Sequence, residues 1–170
     1  VLVLTNRSPI RRLSIRQAFV LTTASWIALT TFAALPFVFS ELKLTYADAF
    51  FEAMSGITTT GSTVITGLDQ VPKGIILWRA LLQWLGGIGI IVIAIAVLPM
   101  LRVGGMQLFK VEAFDAQEKI LPRAGQISVW ITIVYVALTL IWWLGLWLLG
   151  LDSFDAIVHA MTTIATGGYS

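Results

Sequence analysis

Two short stretches hold much of the oxygen chemistry of an otherwise apolar chain. They are "ITTTGST" at Ile57–Thr63 and "IATGGYS" at Ile164–Ser170. Each crowds hydroxyls around glycine and adjoins apolar helical sequence. What they offer is neutral oxygen, from backbone carbonyls with Thr and Ser hydroxyls beside them. Rings of carbonyls can replace the water shell of a cation. Glycine suits such a loop, because a run of carbonyls turned one way needs backbone angles that a Cβ resists. The candidate ligands are the carbonyls of Thr58, Thr59, Thr60, Gly61 and Ser62, and of Ala165, Thr166, Gly167, Gly168 and Tyr169, centred on Gly61 and Gly168. The competing reading is that both stretches are plain re-entrant loops capping a helix bundle.

Other residues point less clearly to chemistry. His159 is the only histidine, and Asp155 four residues before it favours a hydrogen bond along one helix face over a metal or proton relay. Asp48 and Glu52 share that spacing. With no substrate pocket in sight, they read as electrostatics of an outer mouth and not as a glycosidase-like acid pair. There is no cysteine, which removes disulfides, thiolate nucleophiles and cysteine metal sites. No Ser–His, paired-Asp or His–Glu metal constellation lies on a spanning helix, so neither an enzyme nor an organic cofactor is expected. The net charge of +2 calls for no nucleic-acid partner.

The loops need elements to hold them. The chain is 58% hydrophobic and 12% charged, against about 25% charged in a soluble domain. An all-α membrane protein in a lipid bilayer follows. Three segments exceed the roughly 20 residues a crossing needs: 17–39, 74–98 and 127–150. Two shorter apolar helices, 46–58 and 153–164, reach only about 20 Å and stop partway in. Thr45 with Asp48 fits a capping box, and Asp152 with Asp155 a close variant. Arg7, Arg11, Arg12 and Arg16 precede the first span, and Arg102, Lys110, Lys119 and Arg123 follow the second. The positive-inside rule therefore puts the N-terminal segment 1–16 and the Leu101–Gln126 loop in the cytoplasm. The half-helices then enter from outside, where Glu41, Asp48, Glu52, Asp69, Asp152 and Asp155 make a mildly negative mouth.

The organisation repeats. "DAFFEAMSGITTTGST" from Asp48 aligns with "DAIVHAMTTIATGGYS" from Asp155 without a gap. Asp48, Ala49, Ala53, Met54, Ile57, Thr59 and Gly61 match Asp155, Ala156, Ala160, Met161, Ile164, Thr166 and Gly168. The expected unit is span, pore half-helix, filter loop, span. Residues 17–100 make one unit with its filter at 59–63, and 127–170 an incomplete second with its filter at 165–170. Such repeats point to a site built at their interface. Two copies in register, each behind a capped half-helix, favour the ion-path reading over the capping one. Val1 and the opening "VLVL" suggest a piece of a longer protein.

At these residues the sequence resembles the Trk/Ktr/HKT superfamily of potassium transporters, most closely its bacterial TrkH/TrkG branch. "TTTGST" and "ATGGYS" resemble the first and second filter loops; "LLQWLGGIGIIV" and "RVGGMQLF" resemble the segments after the first. The resemblance implies four such repeats in pseudo-fourfold array, with Gly61 and Gly168 fitting the potassium pattern. It also implies potassium as the transported ion, a multi-pass protein of the bacterial inner membrane, a homodimer and a cytosolic nucleotide-binding TrkA-like regulatory subunit. The Leu101–Gln126 loop is a plausible docking surface for that subunit.

The rival is a substrate-coupled secondary transporter with broken helices, which would need side-chain ligands at mid-membrane. Four further readings complete the expectation. Arg79 snorkels to the interface. Gly86, Gly87 and Gly89 serve close helix packing. Trp78, Trp142, Trp143 and Trp147 form an outer aromatic belt, with Trp130 toward the inner boundary. Pro36 kinks the first span.

Overall fold

The computed structural model describes residues 15–101 and 120–169. Nearly all of the expected 1–16 segment, most of the Leu101–Gln126 loop with Arg102, Lys110 and Lys119, and Ser170 lie outside the described residues. The described residues are helical, with no strand among them. In chain order they form α1 (Ile15–Ala33), α2 (Leu35–Val38), α3 (Tyr46–Ile57), a 3-10 turn at Leu68–Gln70, α4 (Lys73–Leu101), α5 (Ile120–Leu148) and α6 (Ser153–Ile164).

Three stretches are long and apolar enough to cross a membrane: Phe19–Val38, Lys73–Ile93 and Gln126–Leu148. The first is broken between α1 and α2. Pro36 has no N–H to give to the preceding turn, and the helix is interrupted two residues before it. The short helices α3 and α6 have 12 residues each, about 18 Å at 1.5 Å per residue, and cannot cross.

Both short helices start on side-chain caps. The Thr45 hydroxyl accepts from the Asp48 N–H at 3.2 Å and donates to the Asp48 carboxylate at 2.6 Å. The expected reciprocal box is thus only half formed. Asp152 caps α6 by accepting from the Phe154 N–H at 3.2 Å, not through Asp155. The acids Asp48 and Asp155 remain in the first turns, where the helix dipole favours negative charge.

Helix α4 is the hub, packing against α1, α3, α5 and α6. Small residues let the backbones come close. Ala33, Ala34, Ala49 and Ala53 join Phe37, Ile65, Val71 and Leu82 in one buried cluster. Ala80, Val158 and Met161 form a second, between α4 and α6. Gly86 is the tightest of the α4 glycines: a Cβ there would stand 2.0 Å from the Ile57 carbonyl oxygen. Polar groups stitch the long helices. Trp84 Nε1 donates to Thr139 Oγ1 at 3.0 Å, and the Tyr135 hydroxyl to the Trp84 carbonyl at 3.2 Å.

One belt assignment is corrected here. Trp78 is half-buried and donates its Nε1–H to the Ala33 carbonyl at 3.0 Å. It fills the carbonyl left free where α1 breaks. Trp130, Trp142 and Trp147 are exposed, as lipid-facing aromatics would be.

The glycine contacts give a paired test. Gly86→Ala should lower the thermal midpoint of the detergent-solubilised protein, an overpacking cost of about 1–3 kcal/mol. Gly145→Ala, with nothing within 4 Å of the added Cβ, should leave it unchanged. Equal midpoints for both variants would refute the close-packing role of Gly86.

Candidate functional site

The two hydroxyl-rich loops leave their half-helices in the same way. After α3, the N–H groups of Thr58, Thr59 and Thr60 donate to the carbonyls of Met54, Gly56 and Ser55. After α6, Ala165, Thr166 and Gly167 donate to Met161, Thr163 and Thr162. Each set is the other displaced by one repeat. Thr59 and Thr166 both have φ 57, and the glycines two residues on have φ 76 at Gly61 and φ 59 at Gly168. These left-handed angles cost a β-branched residue free energy, yet both loops carry threonine there. Glycine takes the second left-handed position without that cost.

Side chains then pin the loops. The Thr58 hydroxyl donates to the Met54 carbonyl at 2.7 Å and lies 2.8 Å from the Thr60 hydroxyl. The buried Ser55 hydroxyl donates to the Ser62 carbonyl at 2.6 Å, which turns that carbonyl toward α3. Ala165 and Tyr169 are buried, while Thr166 and Gly168 are exposed. The loops also meet each other. A Cβ on Gly61 would stand 1.7 Å from the Gly167 carbonyl oxygen, so that close approach depends on glycine.

The brace beneath the first loop is ionic. Arg79 Nε donates to Glu52 Oε1 at 2.9 Å, with the side chains 2% and 0% exposed. Arg79 Nη2 donates to Thr63 Oγ1 at 3.1 Å. The Thr63 hydroxyl in turn donates to the Glu52 carboxylate at 2.9 and 3.1 Å. The Val64 N–H reaches Glu52 Oε2 at 3.0 Å. Tyr169 closes the assembly from the second loop. Its ring lies 3.9 Å from the Arg79 guanidinium, and its hydroxyl donates to the Glu52 backbone carbonyl at 2.6 Å.

Arg79 therefore does not snorkel, which corrects the sequence-based expectation. It turns inward because Glu52 supplies the counter-charge, and two lone charges in apolar surroundings are each costly unless paired. Glu52 is likewise removed from the expected acidic mouth. The missed signal was mutual: one acid on a buried half-helix and one base a turn inside a span.

One face of α4 backs both loops. Arg79 meets Thr63; a Gly86 Cβ would collide with Ile57; a Gly87 Cβ would stand 3.5 Å from Ala165. The spacing of these positions from Arg79 is that of a single helical face. Gln83 lies on it too, fully buried, with both carboxamide atoms unpaired among the described residues. Among the described residues no group of three or more His, Cys, Asp or Glu gathers to hold a metal ion.

The family model for TrkH, a cation transport protein, matches residues 1–170. The chain belongs to the TrkH family. It is 47% identical over 154 residues to the Trk system potassium uptake protein TrkI of Halomonas elongata, covering 91% of the chain and 31% of that protein. It is 46% identical over 168 residues to TrkH of Escherichia coli K12, covering 97% and 35%. The potassium transporter TrkH from Vibrio parahaemolyticus, a crystal structure, superposes with a TM-score of 0.81 at 39% identity, covering 98% of the chain and 33% of that structure. This TrkH-family chain thus spans about a third of the length of the curated relatives it matches.

The ionic brace of the TrkH-family chain makes a graded prediction. Glu52→Gln or Arg79→Met alone leaves a buried charge unpaired, and stability should fall by about 3–5 kcal/mol. The double variant should recover part of that loss. Melting curves of the three proteins decide it, and additive losses in the double variant would contradict the pairing.

Proposed function

We propose that this chain is the first pore-loop repeat, and most of the second, of a potassium uptake protein that conducts the ion through a filter of backbone carbonyls. The observation that carries the reading is the duplicated loop backbone, with left-handed Thr59 and Gly61 matched by Thr166 and Gly168. Residues of alternating handedness turn successive carbonyls toward one side, as a line of cation ligands requires. The relatives named as potassium uptake proteins supply the ion.

In this reading the carbonyls of Thr59, Thr60 and Gly61, and of Thr166, Gly167 and Gly168, replace potassium's water. Thr58, Ser62, Ala165 and Tyr169 bound the filter and anchor it. Ser62 serves chiefly as an anchor, because Ser55 occupies its carbonyl. The C-terminal ends of α3 and α6 direct partial negative charge at the ion path. Four repeats around one pseudo-fourfold axis complete the pore in the full-length protein. Passage is conduction, and no covalent step or organic cofactor enters. The described spans offer the substrate-coupled alternative little, since the buried charge of α4, Arg79, is taken up by Glu52 of α3.

The proposal extends to a bacterial inner-membrane protein with a cytoplasmic N-terminus, oriented by the Arg and Lys residues before α1 and after α4. It also includes a homodimer and a TrkA-like cytosolic regulator at the Leu101–Gln126 loop.

The test is potassium and sodium flux through the full-length protein in liposomes. Gly168→Ser adds its side chain into open space and strains only the backbone, so it should fold and lose potassium preference. Gly61→Ser must also displace the Gly167 carbonyl and should lose both preference and rate. If both folded variants conduct and select like the parent, the loops are structural caps.

A further inference from the structure

Gln83 has no role in the site so far described. Its side chain is 0% exposed, and neither its Nε2 nor its Oε1 has a hydrogen-bond partner among the described residues. An amide in that condition costs free energy that an apolar side chain of the same size would not. Its place is specific. A Cβ on Gly167 would stand 2.1 Å from Nε2, 2.2 Å from Cδ and 2.6 Å from Oε1, so the carboxamide fills the space that a side chain at Gly167 would need. The same Nε2 is 3.8 Å from the Cβ position of Gly61. One polar group thus stands beside Gly61 of the first loop and Gly167 of the second, on the α4 face whose Arg79 already braces the first.

We propose that Gln83 is a positioning residue of the filter: its carboxamide, wedged behind Gly61 and Gly167, holds the two loops at the separation that decides which monovalent cation passes. The inference rests on the carbonyl-filter reading above. A costly polar group kept where it touches both loops serves their backbone. Shape alone would be met by leucine or methionine at less cost. The carboxamide N–H donors, unpaired among the described residues, are available to a loop carbonyl that shifts as an ion passes.

The experiment is potassium and sodium influx into liposomes carrying the full-length protein with Gln83→Leu or Gln83→Met, beside Gly168→Ser. Each Gln83 variant keeps the volume and removes the amide. The expected result is a thermal midpoint at or above the parent's with potassium preference reduced at least threefold. A structural role alone would not move the preference. The two variants guard each other, since methionine adapts where leucine does not fit. If Gly168→Ser loses preference while both Gln83 variants keep the parent's, Gln83 is packing and this inference falls alone. If none of the three changes preference, the filter reading falls and takes the inference with it.

Discussion

The buried pair of Glu52 and Arg79 sets the terms for everything around it. A carboxylate and a guanidinium withdrawn from water are tolerable only when they meet each other and when their remaining donors and acceptors are used. Here Thr63, Val64 and the Tyr169 ring complete the shell. Glu52 comes from a half-helix, Arg79 from a span, Thr63 and Val64 from the chain leaving the first loop, and Tyr169 from the second loop. The geometry of four segments is thereby tied to one ionic contact. A displacement of any of them would expose charge to apolar surroundings, so the loops inherit rigidity that their own hydroxyls could not supply.

Close backbone approach is the second constraint, and α4 carries most of it. Its loop-facing side alternates a long ionic side chain, a buried amide and two glycines. Gly86 lets the α3 terminus press against the helix and Gly87 makes room for the Tyr135 hydroxyl of α5, while Arg79 and Gln83 reach past them. One helix is in this way both wall and bracket. The same economy appears at the end of α1, where Trp78 takes the Ala33 carbonyl released by the break before Pro36.

Much of this was legible in the sequence, for definite reasons. Length and apolarity marked the spans; Thr45 and Asp152 marked the starts of the short helices; the alignment of Asp48 with Asp155 marked the duplication. The shared backbone of the loops follows from the shared Thr-x-Gly, since the left-handed positions fall on those two residues in both copies. What stayed hidden was pairing at a distance. Nothing local in Arg79 distinguishes a snorkelling side chain from one turned inward, because the partner that decides lies 27 residues away. Gln83 and Trp78 were opaque for the same reason: their environments are built by residues from other segments. The Ser62 carbonyl looked like its neighbours until Ser55 claimed it.

The contact between the Tyr169 hydroxyl and the Glu52 carbonyl spans 117 residues, and that separation bears on biosynthesis. A ribosome makes α3, the first loop and α4 well before Tyr169 exists. The ion pair can form inside the first unit, but its aromatic cover arrives only once α5 has been threaded and α6 inserted. Chain growth at about 5–20 residues per second leaves several seconds in which the newborn first unit holds a buried charge pair open on one side. Long-range closure of this kind is slow relative to local helix formation. The interval is therefore the stage at which translocation machinery or a chaperone would have most to protect.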